Sequence, residues 1–180
     1  MDLLAHALWV GVGGVILQRH RPVSRATIAS AVALAVVPDL AHALPVATWF
    51  VTGGGSLEVF LAYLFASPGT EPVLPAWVSL WSHHLHCTFH SFVVAGVVTA
   101  GIWRARGGFW LPLAGWWMHI TLDMFTHSAD FYPVPVLYPF TQRGFDGVAW
   151  NNPWFMALNY GVLAVAMVGL ALTRPKRNLP

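Results

Sequence analysis

His119, Asp123 and His127 recur at i, i+4 and i+8 inside an otherwise apolar run from Gly108 to Phe125. At ~100° per residue they drift only about 80° around a helix, so one face presents all three. A solvated helix scatters such groups and a lipid-facing helix excludes them. His-x3-Asp-x3-His on an apolar helix therefore reads as half of a metal site, with a buried hydrogen-bond network as the bland alternative. Other segments supply matching halves. Asp2 and His6 are four residues apart, Pro38-Asp39-x2-His42 ends a second apolar run, and His86 and His90 are spaced as a helical clamp for a divalent ion, with His83 nearby. Taken alone, His6 reads as a packing histidine, Asp39 as a cap and the His83–His90 group as a wet interfacial cluster. Together they make mixed N/O ligation, which suits Zn2+, Mn2+ or Fe2+, and spacing does not choose among them. If one ligand position stays open, a water on the metal becomes a nucleophile near neutral pH. The number of candidate ligands also allows two metals.

The elements that must position these groups are helices in a bilayer. Of 180 residues, 57% are hydrophobic and only 9% charged, and mean hydropathy is +0.61. A soluble domain carries about 25% charged residues, so this chain lacks the polar surface to cover itself in water. The expected class is all-α: a single polytopic membrane bundle over residues 1–180, with about five transmembrane helices near 3–18, 26–44, 84–103, 109–127 and 154–172. Residues 45–81 and 128–153 are expected as extracytoplasmic loops, with a short interfacial helix near 57–65. The start of the chain lacks the basic region of a signal peptide and reads as a retained first span. No Lys/Arg-rich run suggests nucleic-acid binding, and the single Cys87 rules out an intramolecular disulfide.

Charge placement sets the expected orientation. Of nine Lys and Arg, all but Arg143 fall after span one, after span three, or in the tail. With five spans these three places share one side, and the positive-inside rule makes it cytoplasmic, with the N-terminus outside. His6, Asp39, His42, the histidines of 83–90, Asp123 and His127 then fall near the outer boundary, with His119 slightly deeper.

Asp-x3-His at the start, Pro-Asp-x2-His, His-x3-His-Ser and His-x3-Asp-x3-His, followed by Leu-Tyr-Pro-Phe, together resemble the YdjM-like membrane-bound metal-dependent hydrolases of bacterial inner membranes. The likeness runs from Asp2 to about Trp154. It implies metal-site roles for His6, Asp39, His42, His86 or His90, His119, Asp123 and His127, and a hydrolase distantly similar to zinc-dependent phospholipase C. The chain departs from the family pattern at Ala5, at Ala41, where a second Asp is common, and in lacking an Arg between His86 and His90.

The expectation is a phosphoesterase-like or other metal-dependent hydrolase in the inner membrane. It acts on an ester or phosphoester of a lipid or envelope-associated molecule. Asp39, His90, His119 and Asp123 are the preferred ligands. Asp39, His42 and His127 are the catalytic candidates, with His42 or His127 carrying the leaving-group proton. Residues 128–153, with Tyr132, Tyr138, Phe140 and Arg143, form a lid in which Tyr138 and Arg143 meet the substrate. The alternatives are a non-enzymatic haem- or metal-binding protein serving redox chemistry or metal transport, and a di-iron desaturase. The in-span aspartates fit haem poorly, no ionisable path continues to the inner face, and desaturase histidine boxes belong on the cytoplasmic side.

Overall fold

The structure, a computed structural model, describes residues 1–66 and 70–173. Among them there are seven helices and no strand: α1 Leu3–His20, α2 Arg25–Val51, α3 Leu57–Leu64, α4 Ala76–Phe89, α5 Phe92–Arg106, α6 Leu113–Thr126 and α7 Pro153–Leu172. Helix α2 is the axis of the bundle, packing against α1, α3, α4 and α6, while α7 lies along α1.

Helix α2 runs 27 residues, past the expected end at Leu44. Pro38 and Pro45 each lack an N–H, so the carbonyls of Leu34 and Ala41 lose their in-helix donors. Packing outweighs that loss at the second proline: Val46 is fully buried in a cluster with Tyr63 and Val78. The longer helix puts Asp39 near its middle instead of at a boundary. The expected helix near 57–65 is α3, capped by the Ser56 hydroxyl on the Val59 N–H.

The expected continuous span over 84–103 is broken. Helices α4 and α5 meet at 60° across His90 and Ser91. The break is built in: buried Ser91 accepts from the N–H groups of Val93 and Val94 to start α5 and donates to the Tyr138 carbonyl at 2.6 Å. Trp116 Nε1 donates to the Phe89 carbonyl at 2.6 Å, satisfying the end of α4. Replacing Ser91 by Ala removes a cap whose loss costs about 1–2 kcal/mol. Chemical denaturation in detergent is expected to show that decrease with the helix content of the folded state unchanged.

Two helices, α2 and α7, are long and apolar enough to cross a membrane, or three spans if the bent pair α4–α5 counts as one. This corrects the expected five. The last turn of α1 is polar, with Gln18, Arg19 and His20, and α6 has 14 residues, a length of ~21 Å against a hydrocarbon core of about 30 Å. Helix α7 leaves Leu158, Val162, Val165, Val168 and Leu172 exposed, a broad apolar face compatible with lipid. The basic tail Arg174 to Arg177 used in the orientation argument lies outside the described residues.

The segment 128–152 has no helix and is strapped to the end of α6. Gly147 donates to the His127 carbonyl, Val148 to Phe125 and Trp150 to Thr126, at 2.8 to 3.0 Å. A Cβ on Gly147 would lie 2.3 Å from the Phe125 carbonyl oxygen, so the strap needs glycine there.

Candidate metal centre

Asp39 from α2, His90 at the α4–α5 break, and His119 and Asp123 from α6 converge. One ligand atom from each lies within 4.8 Å of all the others. Three of the four are essentially inaccessible, and Asp39 is 17% exposed. His90 Nε2 and His119 Nε2 are 3.0 Å apart. Asp123 Oδ2 is 3.3 Å from the first and 3.2 Å from the second, and Asp39 Oδ1 is 3.6 and 3.8 Å away. A tetrahedral ion with bonds of about 2.0–2.2 Å places its ligand atoms roughly 3.3–3.6 Å apart. The observed edges bracket that value.

Proton accounting points the same way. His90 Nδ1 lies 2.8 Å from the His86 carbonyl and His119 Nδ1 2.7 Å from the Ala35 carbonyl. A carbonyl only accepts, so each Nδ1 carries the proton, and the neutral rings turn bare Nε2 lone pairs toward each other. Two carboxylate oxygens face the same point, and Asp123 Oδ2 has no hydrogen-bond donor. Four acceptors around one point cannot satisfy one another; a cation satisfies all of them. The carbonyl bonds to Nδ1 are the outer-shell partners that fix a metal-binding histidine's tautomer. This buried Asp/His/His/Asp cluster can hold a metal ion.

His6 and His127 border the cluster on its other side. His6, fully buried and stacked on His119 with ring centroids 3.9 Å apart, places Nε2 2.9 Å from Asp123 Oδ1. His127 Nε2 is 3.6 Å from the same oxygen, and the Met1 nitrogen also contacts it. Asp2 is not part of the cluster. It caps α1 at the Ala5 N–H and accepts from the Tyr160 hydroxyl.

His86 and His90 do not clamp one ion. The break after Phe89 turns His90 into the cluster, whereas His86 Nε2 faces the Pro133 carbonyl at 3.4 Å. His86 instead lines a cavity of about 210 Å³ together with His42, Tyr63, Ser82, His83 and Tyr132. The cavity adjoins the cluster through two side chains: the ring centroid of His90 lies 4.2 Å from that of His86 and 6.4 Å from that of His42.

His42 is held by a directional chain of hydrogen bonds. The Ser82 hydroxyl donates to the His42 carbonyl at 2.7 Å, so it accepts from the Tyr63 hydroxyl at 2.7 Å. Having spent its proton there, Tyr63 oxygen accepts from His42 Nδ1 at 2.8 Å. Burial raises the Tyr63 phenol above its usual value, which keeps that proton in place. The His42 ring therefore keeps its lone pair on Nε2. His127 is absent from the cavity lining.

The substrate-facing expectations for the 128–153 segment shift. Tyr138 bonds His84 Nδ1 at 3.3 Å, and neither it nor exposed Arg143 lines the cavity. Tyr132 from the same segment does, and Gln142 lines an adjoining pocket of about 250 Å³ that shares His83, His86 and Tyr132. Tyr132 sits at φ 47°, a left-handed backbone that is uncommon for an aromatic residue and whose strain gathers at functional sites. Burial pushes its phenol well above the usual range. Tyr63 and Ser82 had no sequence signal: a Tyr in a short apolar helix and a Ser before two histidines look ordinary without their partners.

Compared with protein-family models, curated proteins and solved structures, the chain matches none.

Proposed function

We propose that the chain is an integral membrane, metal-dependent hydrolase that cleaves an ester or phosphoester of a lipid or envelope-associated molecule. The observation that carries the reading is the convergence of four buried acceptors beside a cavity that holds a fixed histidine lone pair. The resemblance of the spaced His and Asp motifs to the YdjM-like hydrolases supports the same reaction class. Asp39, His90, His119 and Asp123 would hold a divalent ion, Zn2+ before Mn2+ or Fe2+, which when bound would supply Lewis-acid chemistry for a polarised ester and a more acidic water.

The chain's own residues supply the rest. Asp39, His90, His119 and Asp123 hold the ion, and the Nδ1 bonds of His90 and His119 to backbone carbonyls aim their rings. His42 Nε2 takes a proton from the attacking water and returns it to the leaving oxygen. Tyr63 and Ser82 position that ring. Tyr132 forms part of the cavity wall, and Gln142, in the adjoining pocket, offers a neutral donor to a polar headgroup. In this reading the bundle sits in a bacterial inner membrane with the basic turns at 19–25 and 104–106 on the cytoplasmic side.

His42→Gln separates chemistry from metal binding. Hydrolysis of short-chain phospholipid and aryl ester substrates in mixed micelles is expected to fall about 10²- to 10⁴-fold, the usual contribution of a positioned acid–base group. Metal content by elemental analysis is expected to stay at the wild-type level. Wild-type protein that contains no divalent metal after reconstitution, or that shows a Soret band, would sink the hydrolase reading.

A further inference from the structure

We infer that the cluster is one half of a two-ion centre, with a second divalent cation held by His6, His127 and the remaining oxygens of Asp123 and Asp39. This deepens the reading of Asp39, His90, His119 and Asp123 as a metal site and rests on it.

Both carboxylates divide their oxygens between two sets of histidines. Asp123 gives Oδ2 to His90 and His119 at 3.3 and 3.2 Å. Its Oδ1 faces His6 Nε2 at 2.9 Å and His127 Nε2 at 3.6 Å. Asp39 repeats the pattern: Oδ1 lies 3.6 and 3.8 Å from His90 and His119, and Oδ2 lies 3.9 Å from His6 Nε2. A carboxylate that splits its oxygens this way is placed to bridge two cations about 3.5–4 Å apart.

The second position has its own unsatisfied chemistry. His6 is fully buried and both of its ring nitrogens lack a hydrogen-bond partner, as does His127 Nδ1. A neutral buried imidazole without a partner is costly, and a cation at Nε2 offsets that cost. A positive group already gathers there: the Met1 nitrogen contacts Asp123 Oδ1 and lies 3.1 Å from His127 Nε2. A second cation here takes the place of that ammonium against Asp123 Oδ1. Ala41, where the resembling family often carries a second Asp, removes no bridge, because Asp39 and Asp123 supply two.

The test is Mn2+ loading of the full chain, purified in detergent and stripped of metal, with bound Mn2+ counted and its electron paramagnetic resonance spectrum recorded. Wild type is expected to bind about two Mn2+ per chain and to show an exchange-coupled signal. His6→Ala and, separately, His127→Gln are expected to bind one and to show the uncoupled hyperfine pattern of an isolated ion. Either variant alone suffices if the other fails to fold. A wild-type chain that binds one uncoupled Mn2+, unchanged by either substitution, overturns the inference and leaves the His90–His119 site standing. No bound Mn2+ in wild type overturns both.

Discussion

Asp123→Ala is expected to strip the protein of metal altogether. No other side chain faces so many candidate ligands: its two oxygens meet His90, His119, His6 and His127, and the Met1 nitrogen. Removing one outer-shell partner of a metal ligand already costs 10- to 100-fold in affinity; removing a shared carboxylate costs more and leaves the facing Nε2 lone pairs of His90 and His119 unbalanced. Elemental analysis of detergent-purified protein is the measurement, with wild type beside Asp39→Ala and Asp123→Ala. Near-stoichiometric zinc, manganese or iron is expected in wild type and less than about a tenth of it in Asp123→Ala. Insertion should survive, because an ionised carboxylate within an apolar helix is itself penalised by a few kcal/mol. Metal retained at the wild-type level in Asp123→Ala would refute the assignment of the cluster.

Gly115→Ala is expected to be the most damaging single-methyl change, although residue 115 touches no ligand. A Cβ there would lie 1.9 Å from the carbonyl oxygen of Ala31 and 2.7 Å from its carbon. Both are backbone atoms and cannot swing aside. Small residues let helices in a membrane bundle approach closely, and here the approach is between α6 and α2. Helix α6 carries His119 and Asp123, α2 carries Asp39, and the bond from His119 to the Ala35 carbonyl spans the same contact. Separating the helices by a methyl's width strains their interface by about 1–3 kcal/mol, and by more where backbone meets backbone. It also moves Asp39 away from His119. A lower midpoint of thermal unfolding together with lost or weakened metal is expected. Unchanged stability would mean that α2 and α6 do not approach this closely.

Other features of the sequence were readable for physical reasons. The scarcity of charge and the apolar runs specify helices, because buried backbone without water must bond within its own segment. The i, i+4 spacing of His119 and Asp123 places them on one side of α6, with His127 just past its end, whereas the Pro38-Asp39 motif, which reads as a span end, lies near the middle of α2. Span counting was less reliable. Pro45 reads as a stop, yet α2 continues because Val46 finds a buried cluster. The run from His84 to Trp103 reads as one helix, yet Ser91 caps a new helix inside it. Hydropathy registers neither a tertiary cluster nor a side-chain cap.

The sequence by itself determined the inventory: an all-helical, strongly apolar chain with histidines and aspartates at helical spacing in four segments. Only the tertiary structure decided how those groups divide. It turned His90 into the cluster and His86 into the cavity, because the bend at Ser91 separates two residues that helical spacing would keep together. It joined His42 to Tyr63 and Ser82, and of the segment's aromatic and basic side chains it put Tyr132, rather than Tyr138 or Arg143, on the cavity wall. Spacing sets the face of a helix that a residue occupies. Which neighbour meets that face, and which nitrogen keeps its proton, is set by contacts between segments distant in the chain.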